Sequence, residues 1–403
     1  MKLVPIPENK YYEYRLNAIF NCYKWDPQFL DNNTLAKYVL VITKKEHEIL
    51  KKYTEDLDKE TRIAEEYLNN HLELTKPLAL PKKITKDLIR MKNYDPQKHI
   101  RLMRYDFHPT MDNDWAVSEV NSDVPGGFAE SSLLPKLALK QIPKGKYQTI
   151  DFSDILTTAI CKKVKEKGKI ILVHCTSYSD DRQVMQFLGD KLKKIGYQTI
   201  YAAADHLRFK NQKAISVLNN NEGPVDCIIR FTPLEWLKDI KPKYWDGYFD
   251  TLTPSCNHPI AIFAQTKRFP LIWDELESRG ISLKTWRKLL PNTIEVKDSL
   301  NKEGYIYKPA CGRVGEGISI KESCLENEYE TILKDVKKHP YEYIAQKRFY
   351  SKPLKGINNE SYHVCLGSYS VDGKHAGYYA RISKTPRIDS NAADIPVLIE
   401  EEK

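Results

Sequence analysis

The stretch from Ile170 to Arg230 narrows the choice of fold more than any other part of the chain. Ile170–His174 is a short apolar run, Asp180–Ile195 carries apolar residues at helical intervals, Thr199–Ala203 is a second apolar run and Val225–Arg230 a third. Strand, helix, strand at these lengths calls for a parallel sheet, because parallel neighbours need a crossover connection whereas antiparallel ones close with a tight turn. The spacing therefore predicts a small Rossmann-like α/β unit over 151–260. No G-x-G-x-x-G follows its first strand, where HCTSYSD stands instead. A dinucleotide site is thus not expected there, and a substrate platform is.

On either side the texture is mixed. Residues 29–71 are charge-rich, with Leu35, Val39, Val41, Ile42, Ile49, Leu50, Leu57, Ile63, Tyr67 and Leu68 at helical intervals, and predict one or two long amphipathic helices. Within 100–132, IRLMRYDFH and WAVSEVNSD alternate partly with period two across the turn-like PTMDND, predicting a β-hairpin followed by the glycine-containing loop VPGGFAESS. Residues 261–403 alternate helices (268–279, 329–338) with strands (305–308, 343–348, 362–371, 376–382), an α+β pattern. A chain of 403 residues has room for three such regions. We delimit them as 1–150, holding N-terminal helices and the hairpin, 151–260, and 261–403.

Charge and cysteine usage remove several classes of function. Sixty-three Lys+Arg against 54 Asp+Glu leave +9, which suits an anionic small ligand without requiring nucleic acid. The Lys-rich stretches 162–169 and 191–194 place Lys at helical spacing beside apolar residues, as the wet face of a helix does. Eight Cys show no C-x-x-C pair and no Cys/His cluster at zinc spacing, so reduced thiols are expected. MKLVPIPENK lacks the apolar core of an export signal, and no apolar run approaches the roughly 18 residues of a membrane span. We expect a cytoplasmic protein with neither nucleic-acid nor membrane partners; its oligomeric state leaves no mark in the sequence.

Chemistry concentrates in a few places. Alternation puts Arg104 and Asp106 on one face of the first hairpin strand, and Glu119 and Asn121 on one face of the second. Two carboxylates and an amide carbonyl are hard oxygen donors suited to Mg²⁺, which takes its remaining ligands from water and phosphate. The same spacing also suits a solvated sheet face with ordinary ion pairs. A second segment favours the functional reading: a strand ending in Lys308-Pro enters a loop containing Gly312, Arg313, Gly315 and Gly317 and then returns to a strand. Glycines let backbone N–H groups approach phosphate oxygens, and Lys308 and Arg313 add positive charge, so this loop is a candidate phosphate flap. It is not a Walker A loop, since G-x-x-x-x-G-K-[ST] is absent. Lys267, before RFPLIWDEL, can reach another part of a triphosphate, and Arg381, in a late strand, can offset charge developing in a transition state. Each of these two, taken alone, also reads as an ordinary surface residue.

Taken in order, R-x-D, E-x-N-x-D-x-P, a helix-opening Lys before P-x-x-W, KPxxGRxG and a terminal strand with Arg before an Ile-Pro ending resemble the glutathionylspermidine synthase family of ATP-grasp ligases. The resemblance runs over nearly the whole chain, including Tyr23-Lys-Trp25-Asp-Pro and the stretch around Glu235-Trp236-Leu237. It implies an α+β ATP-grasp fold with an inserted Rossmann-like (pre-ATP-grasp) domain and N-terminal helices, with ATP held between two lobes. It also implies Asp106, Glu119 and Asn121 as Mg²⁺ ligands, and Lys267, Lys308 and Arg313 with the glycines Gly312, Gly315 and Gly317 on ATP. Gln346 falls in the interlobe segment that contacts adenine, and Arg104 and Arg381 match the transition-state arginines.

The chemistry so implied is activation of a peptide or amino-acid carboxylate by ATP as an acyl phosphate, followed by capture by an amine. The loop after E-x-N carries Val124, Gly126 and Gly127 around Pro125 where the relatives commonly have Ser or Thr, so the acid substrate stays open. No amidase region of the kind found in bifunctional members is present in this sequence, and synthetase chemistry alone is expected. Two alternatives stand beside this reading: a ligase for peptide natural products or cell-envelope peptides, and a catalytically silent scaffold that binds nucleotide or a partner.

Overall fold

The computed structural model describes residues 1–91, 94–142, 145–299 and 302–401. Its central sheet is antiparallel and runs Ala393–Ile395, Lys374–Ser383, Ser361–Val371, Leu102–Pro109, Trp115–Asn121, with Leu354–Lys355 pairing alongside Ser361–Val371. The hairpin expected near residue 100 is therefore built into a sheet whose other strands come from the far end of the chain. The helix Lys44–Asn70 crosses this sheet. Its Leu50, Leu57, Ala64 and Leu68 recur every seven or four residues and are fully buried, and Thr54 reaches Ser368 at 2.7 Å.

The segment 29–71, expected to be helical throughout, is helical only in its second part. Helix begins only at Lys44, and Tyr38–Thr43 is a strand lying between Lys2–Pro5 and Val397–Glu400, antiparallel to the first and parallel to the second. Val39-Leu40-Val41-Ile42 is apolar without a break and rich in β-branched residues, which suits a strand buried on both faces rather than one stripe of a helix. The boundary has its own signal in Thr43-x-x-Glu46. The Thr43 hydroxyl accepts from the Glu46 N–H at 3.1 Å, and the Glu46 carboxylate accepts from the Thr43 N–H at 2.8 Å.

The parallel unit forms as expected. Its strands run Ser255–Cys256, Cys227–Arg230, Lys169–Val173, Gln198–Ala202, all parallel. Helices Phe152–Lys163 and Ser179–Lys194 bury Leu156, Ile160, Met185 and Leu188 against Ile170 and Leu172. A third sheet, Thr293–Ile294, Tyr343–Lys347, Tyr305–Pro309, is antiparallel, and Ile332 and Val336 of the helix Glu326–Lys338 pack with its Tyr343. The helix expected over 268–279 opens as a 3₁₀ turn, Phe269–Ile272, with Pro270 in its first positions, and becomes α-helical only over Trp273–Ser278. Among the described residues no helix is long and apolar enough to cross a membrane.

Candidate active site

The hairpin register brings its polar residues together. Arg104 lies opposite Asn121 and Asp106 opposite Glu119; the register then slips, so that Phe107 faces Val117 and Ser118 has no partner in the ladder. A bulge of this kind frees a backbone carbonyl, and the Lys308 ammonium, arriving from the third sheet, donates to Ser118 O at 3.2 Å. Arg104 grips Asp106 with two parallel bonds, from Nε to Oδ1 at 2.8 Å and from Nη2 to Oδ2 at 3.0 Å, and gives Nη1 to Gly126 O at 3.0 Å. Asn121 spends its Nδ2 on Asp106 Oδ2 at 3.0 Å. Gly367 lies opposite Asp106 on the neighbouring strand, and a Cβ there would sit 2.6 Å from Arg104 Cδ. A glycine in mid-strand thus makes room for the guanidinium.

Lys267 ties the hairpin to the flap. Its ammonium lies 2.8 Å from Glu119 Oε2 and donates to Gly312 O at 2.8 Å, while its backbone N–H donates to Ala310 O. Burial alone would raise the Glu119 carboxyl, but Lys267, then Lys308 and Arg104, outweigh it and hold the group well below the usual carboxylate range. Lys308 shows the opposite balance. Burial pushes its ammonium down to about 8, Glu119 opposes that fall, and Lys267 and Arg348 add to it. His108 is pushed down to about 3 by burial and by Lys308, and is neutral at physiological pH.

The flap itself is pinned on two sides. Gly315 has φ +69°, and a Cβ there would sit 2.5 Å from Ile388 O, so the loop packs directly on the segment after the Lys374–Ser383 strand. Arg313 pairs with Glu235 at 2.7 Å and lies 4.9 Å over the Trp236 ring, beyond the end of the Cys227–Arg230 strand. Arg381 donates to the Asp389 carbonyl and stands opposite Cys365.

These groups enclose one cavity of roughly 300 Å³. Arg104, Asp106, Glu119, Asn121, Lys267, Lys308, Gly312, Arg313, Gly315 and Arg381 all line it. Two residues named from the sequence do not. Gly317, at φ +66°, faces the Pro309 ring. Gln346 lies in an adjoining apolar recess with Lys267, Phe269, Trp273 and Trp286, where its Nε2 donates to Thr293 Oγ1 at 3.0 Å and its Oε1 has no partner among the described residues. Sequence reasoning missed Arg348, Arg387 and Tyr379, which also line the cavity. Only Tyr379 had a usable signal, standing two residues before Arg381 on the same strand face.

Among the described residues no three His, Cys, Asp and Glu side chains form a group able to hold a metal ion. The donor set here is two carboxylates and an amide, which fits Mg²⁺ bound largely through phosphate and water and does not fit a closed all-protein site.

A family model described as glutathionylspermidine synthase preATP-grasp matches residues 20–400. A glutathione synthetase-like effector from Globodera pallida, solved in its apo form, superposes with a TM-score of 0.63 at 14% identity, over 96% of this chain and 97% of that one. A putative γ-glutamylcysteine synthetase from Methylobacillus flagellatus KT gives a TM-score of 0.45 at 13% identity, over 83% and 86%. No curated protein matches. The mixed helix-and-sheet architecture and the first of these structures fit the ATP-grasp-type fold anticipated from the motifs.

Proposed function

The chain belongs to the glutathionylspermidine synthase preATP-grasp family, and from that premise we propose an ATP-dependent carboxylate–amine ligase. One observation carries the reading. A single cavity gathers Arg104, Lys267, Lys308, Arg313, Arg348, Arg381 and Arg387 beneath a glycine loop; five of them are ion-paired, to Asp106, Glu119, Glu235, Glu322 and Glu328, and Lys308 and Arg381 have no carboxylate partner among the described residues. That surplus of positive charge, with two carboxylates and Asn121 set inside it, is complementary to a triphosphate carrying a divalent cation.

In this proposal Lys267 and Lys308 hold phosphate oxygens, and the interlobe segment at Gln346 contacts the adenine. Asp106, Glu119 and Asn121 would hold Mg²⁺, which when bound would offset the negative charge of the phosphates. A carboxylate does not react with an amine directly, because the leaving group would be oxide. Transfer of the terminal phosphoryl group to that carboxylate breaks its bond to ADP and gives an acyl phosphate; the neutral amine nitrogen then attacks the acyl carbon, the C–N bond forms, and the C–O bond to phosphate breaks as the nitrogen loses a proton that leaves with the phosphate. Arg104 and Arg381, which both line the cavity, would offset charge on the transferred group, an effect worth several kcal/mol of barrier each. The flap, latched by Arg313 to Glu235, keeps water from the acyl phosphate. The parallel unit at 151–260 serves as the platform for acid and amine, and the hairpin with 261–403 forms the nucleotide lobes.

The test is a phosphate-release screen with Mg·ATP across peptides and amino acids crossed with polyamines and other amines. Release that needs both an acid and an amine is the expected result. Tight nucleotide binding without release for any pair would overturn the ligase reading and leave a nucleotide-binding scaffold.

A further inference from the structure

Behind the cavity lies a buried ionic cluster that the proposed chemistry does not use. The Lys24 side chain is 2% exposed, and its ammonium lies 2.7 Å from Asp394 Oδ2, 2.8 Å from Asp26 Oδ1 and 3.6 Å from Glu130 Oε1. Glu130 Oε1 also accepts from Gln183 Nε2 at 2.7 Å. Three separate stretches of sequence thus meet at one ammonium. If the cluster served only to anchor the N-terminal segment, one carboxylate would suffice, since each further buried charge carries a desolvation penalty.

The second oxygen of Asp394 leads out of the cluster. It accepts from the Tyr379 hydroxyl at 2.6 Å, and the Tyr379 ring lies 4.9 Å beneath the Arg104 guanidinium. The ring is boxed in from the other side, since a Cβ on Gly127 would come 2.6 Å from Tyr379 Cδ2. Asp394 is also the strand partner of Arg381.

We propose that Lys24 is a positioning residue: by holding Asp394 it fixes the Tyr379 hydroxyl, and through that ring it sets the placement of the Arg104 guanidinium over the reaction cavity. Its consequence for turnover rests on the ligase reading; its consequence for geometry does not. The protonation pattern agrees with the geometry. Burial would lower the Lys24 ammonium, but Asp394 first, then Glu130 and Asp26, hold it charged. The Glu130 carboxyl goes the other way, raised by burial and by the neighbouring Asp394 and Asp26 beyond what Lys24 offsets.

The experiment uses the full chain labelled with [¹⁵N]arginine. The Arg104 Nε–H resonance is assigned by its disappearance in Arg104→Lys. Lys24→Met is expected to shift it and to speed its hydrogen exchange about tenfold. Tyr379→Phe, which keeps the ring and loses the bond to Asp394, is expected to do the same, and the double variant to add nothing further. Lys24→Gln and Asp394→Asn give independent routes to the same link if Lys24→Met folds poorly. ADP release per folded molecule is expected to fall roughly 10- to 100-fold, with KM for ATP little changed. An unmoved Arg104 resonance in every folded Lys24 variant, accompanied by lowered Tm alone, would overturn the proposal, as would fully additive effects of Lys24→Met and Tyr379→Phe. If the wild type releases no ADP with any acid–amine pair while the resonance still responds, the ligase reading fails and the positioning link stands.

Discussion

Lys308 offers a test in which the structure sets the magnitude. Its ammonium is buried and titrates near 8, with Glu119 on one side and the cations Lys267 and Arg348 on the other. A triphosphate entering the cavity brings negative charge and stabilises the protonated form, so binding above that value must be accompanied by uptake of a proton. At about pH 9 roughly nine-tenths of the free protein has neutral Lys308, and the affinity for Mg·ATP falls about tenfold per further pH unit, or about 1.4 kcal/mol. A lysine at its ordinary value of 10.5 would begin this decline more than two units higher. Calorimetric titration of Mg·ATP in two buffers of different ionisation enthalpy measures both quantities. We expect close to one proton taken up at about pH 9 and almost none at about pH 7, with the dependence removed in Lys308→Arg, whose guanidinium stays charged. A binding enthalpy independent of buffer and an affinity flat through pH 9 would refute the placement of Lys308 on phosphate.

Other outcomes follow from the same geometry. Gly367→Ala drives a methyl group to within 2.6 Å of Arg104 Cδ; it should cost about 1–3 kcal/mol in denaturant unfolding and disturb the Arg104–Asp106 pair, and an unchanged unfolding midpoint would contradict the close approach. Asp123 is fully buried, paired with Arg230 and accepting from Leu234 N at 2.8 Å; Asp123→Ala leaves Arg230 without its counter-charge and should lower stability by about 3–5 kcal/mol, read from chemical unfolding. His99 is buried and pushed down to about 4, mainly by burial. The unfolded chain therefore binds a proton that the folded chain refuses as pH falls from the ordinary 6.5 toward 4, and stability is lost over that window. His99→Asn should flatten the stability curve by up to about 1.4 kcal/mol per pH unit between about pH 6 and 5, and parallel curves would refute it.

How much of this was legible in the sequence depended on whether the signal was local. The hairpin and its facing residues Arg104, Asp106, Glu119 and Asn121 follow from period-two alternation, and the bulge at Ser118 did not disturb them because it lies beyond the Asp106–Glu119 pair. The parallel unit was readable from element lengths alone. Tyr38–Thr43 was not, because a run of apolar residues fits a buried strand or helix until the partners Lys2–Pro5 and Val397–Glu400 are known, and these lie at opposite ends of the chain. Gly317 falls outside the cavity because the flap turns on Gly315, whose close approach to Ile388 is a tertiary contact invisible to spacing. Arg348 and Arg387 reach the cavity from segments without a motif, and only the packing of the third sheet against the central one brings them there. Lys24 and Asp26 stood in the Tyr23-Lys-Trp25-Asp-Pro segment that the resemblance includes, but Glu130 and Asp394 are isolated charges until the fold buries them beside it.

The most direct measurement is anomalous diffraction from crystals grown with Mn²⁺ in place of Mg²⁺ and a non-hydrolysable ATP analogue. A manganese peak roughly 2.0–2.3 Å from oxygens of Asp106 and Glu119, with the terminal phosphates against Lys267 and Lys308 beneath the glycine loop, is the result we predict. Nucleotide density elsewhere on the protein, or a metal remote from both carboxylates, would contradict it.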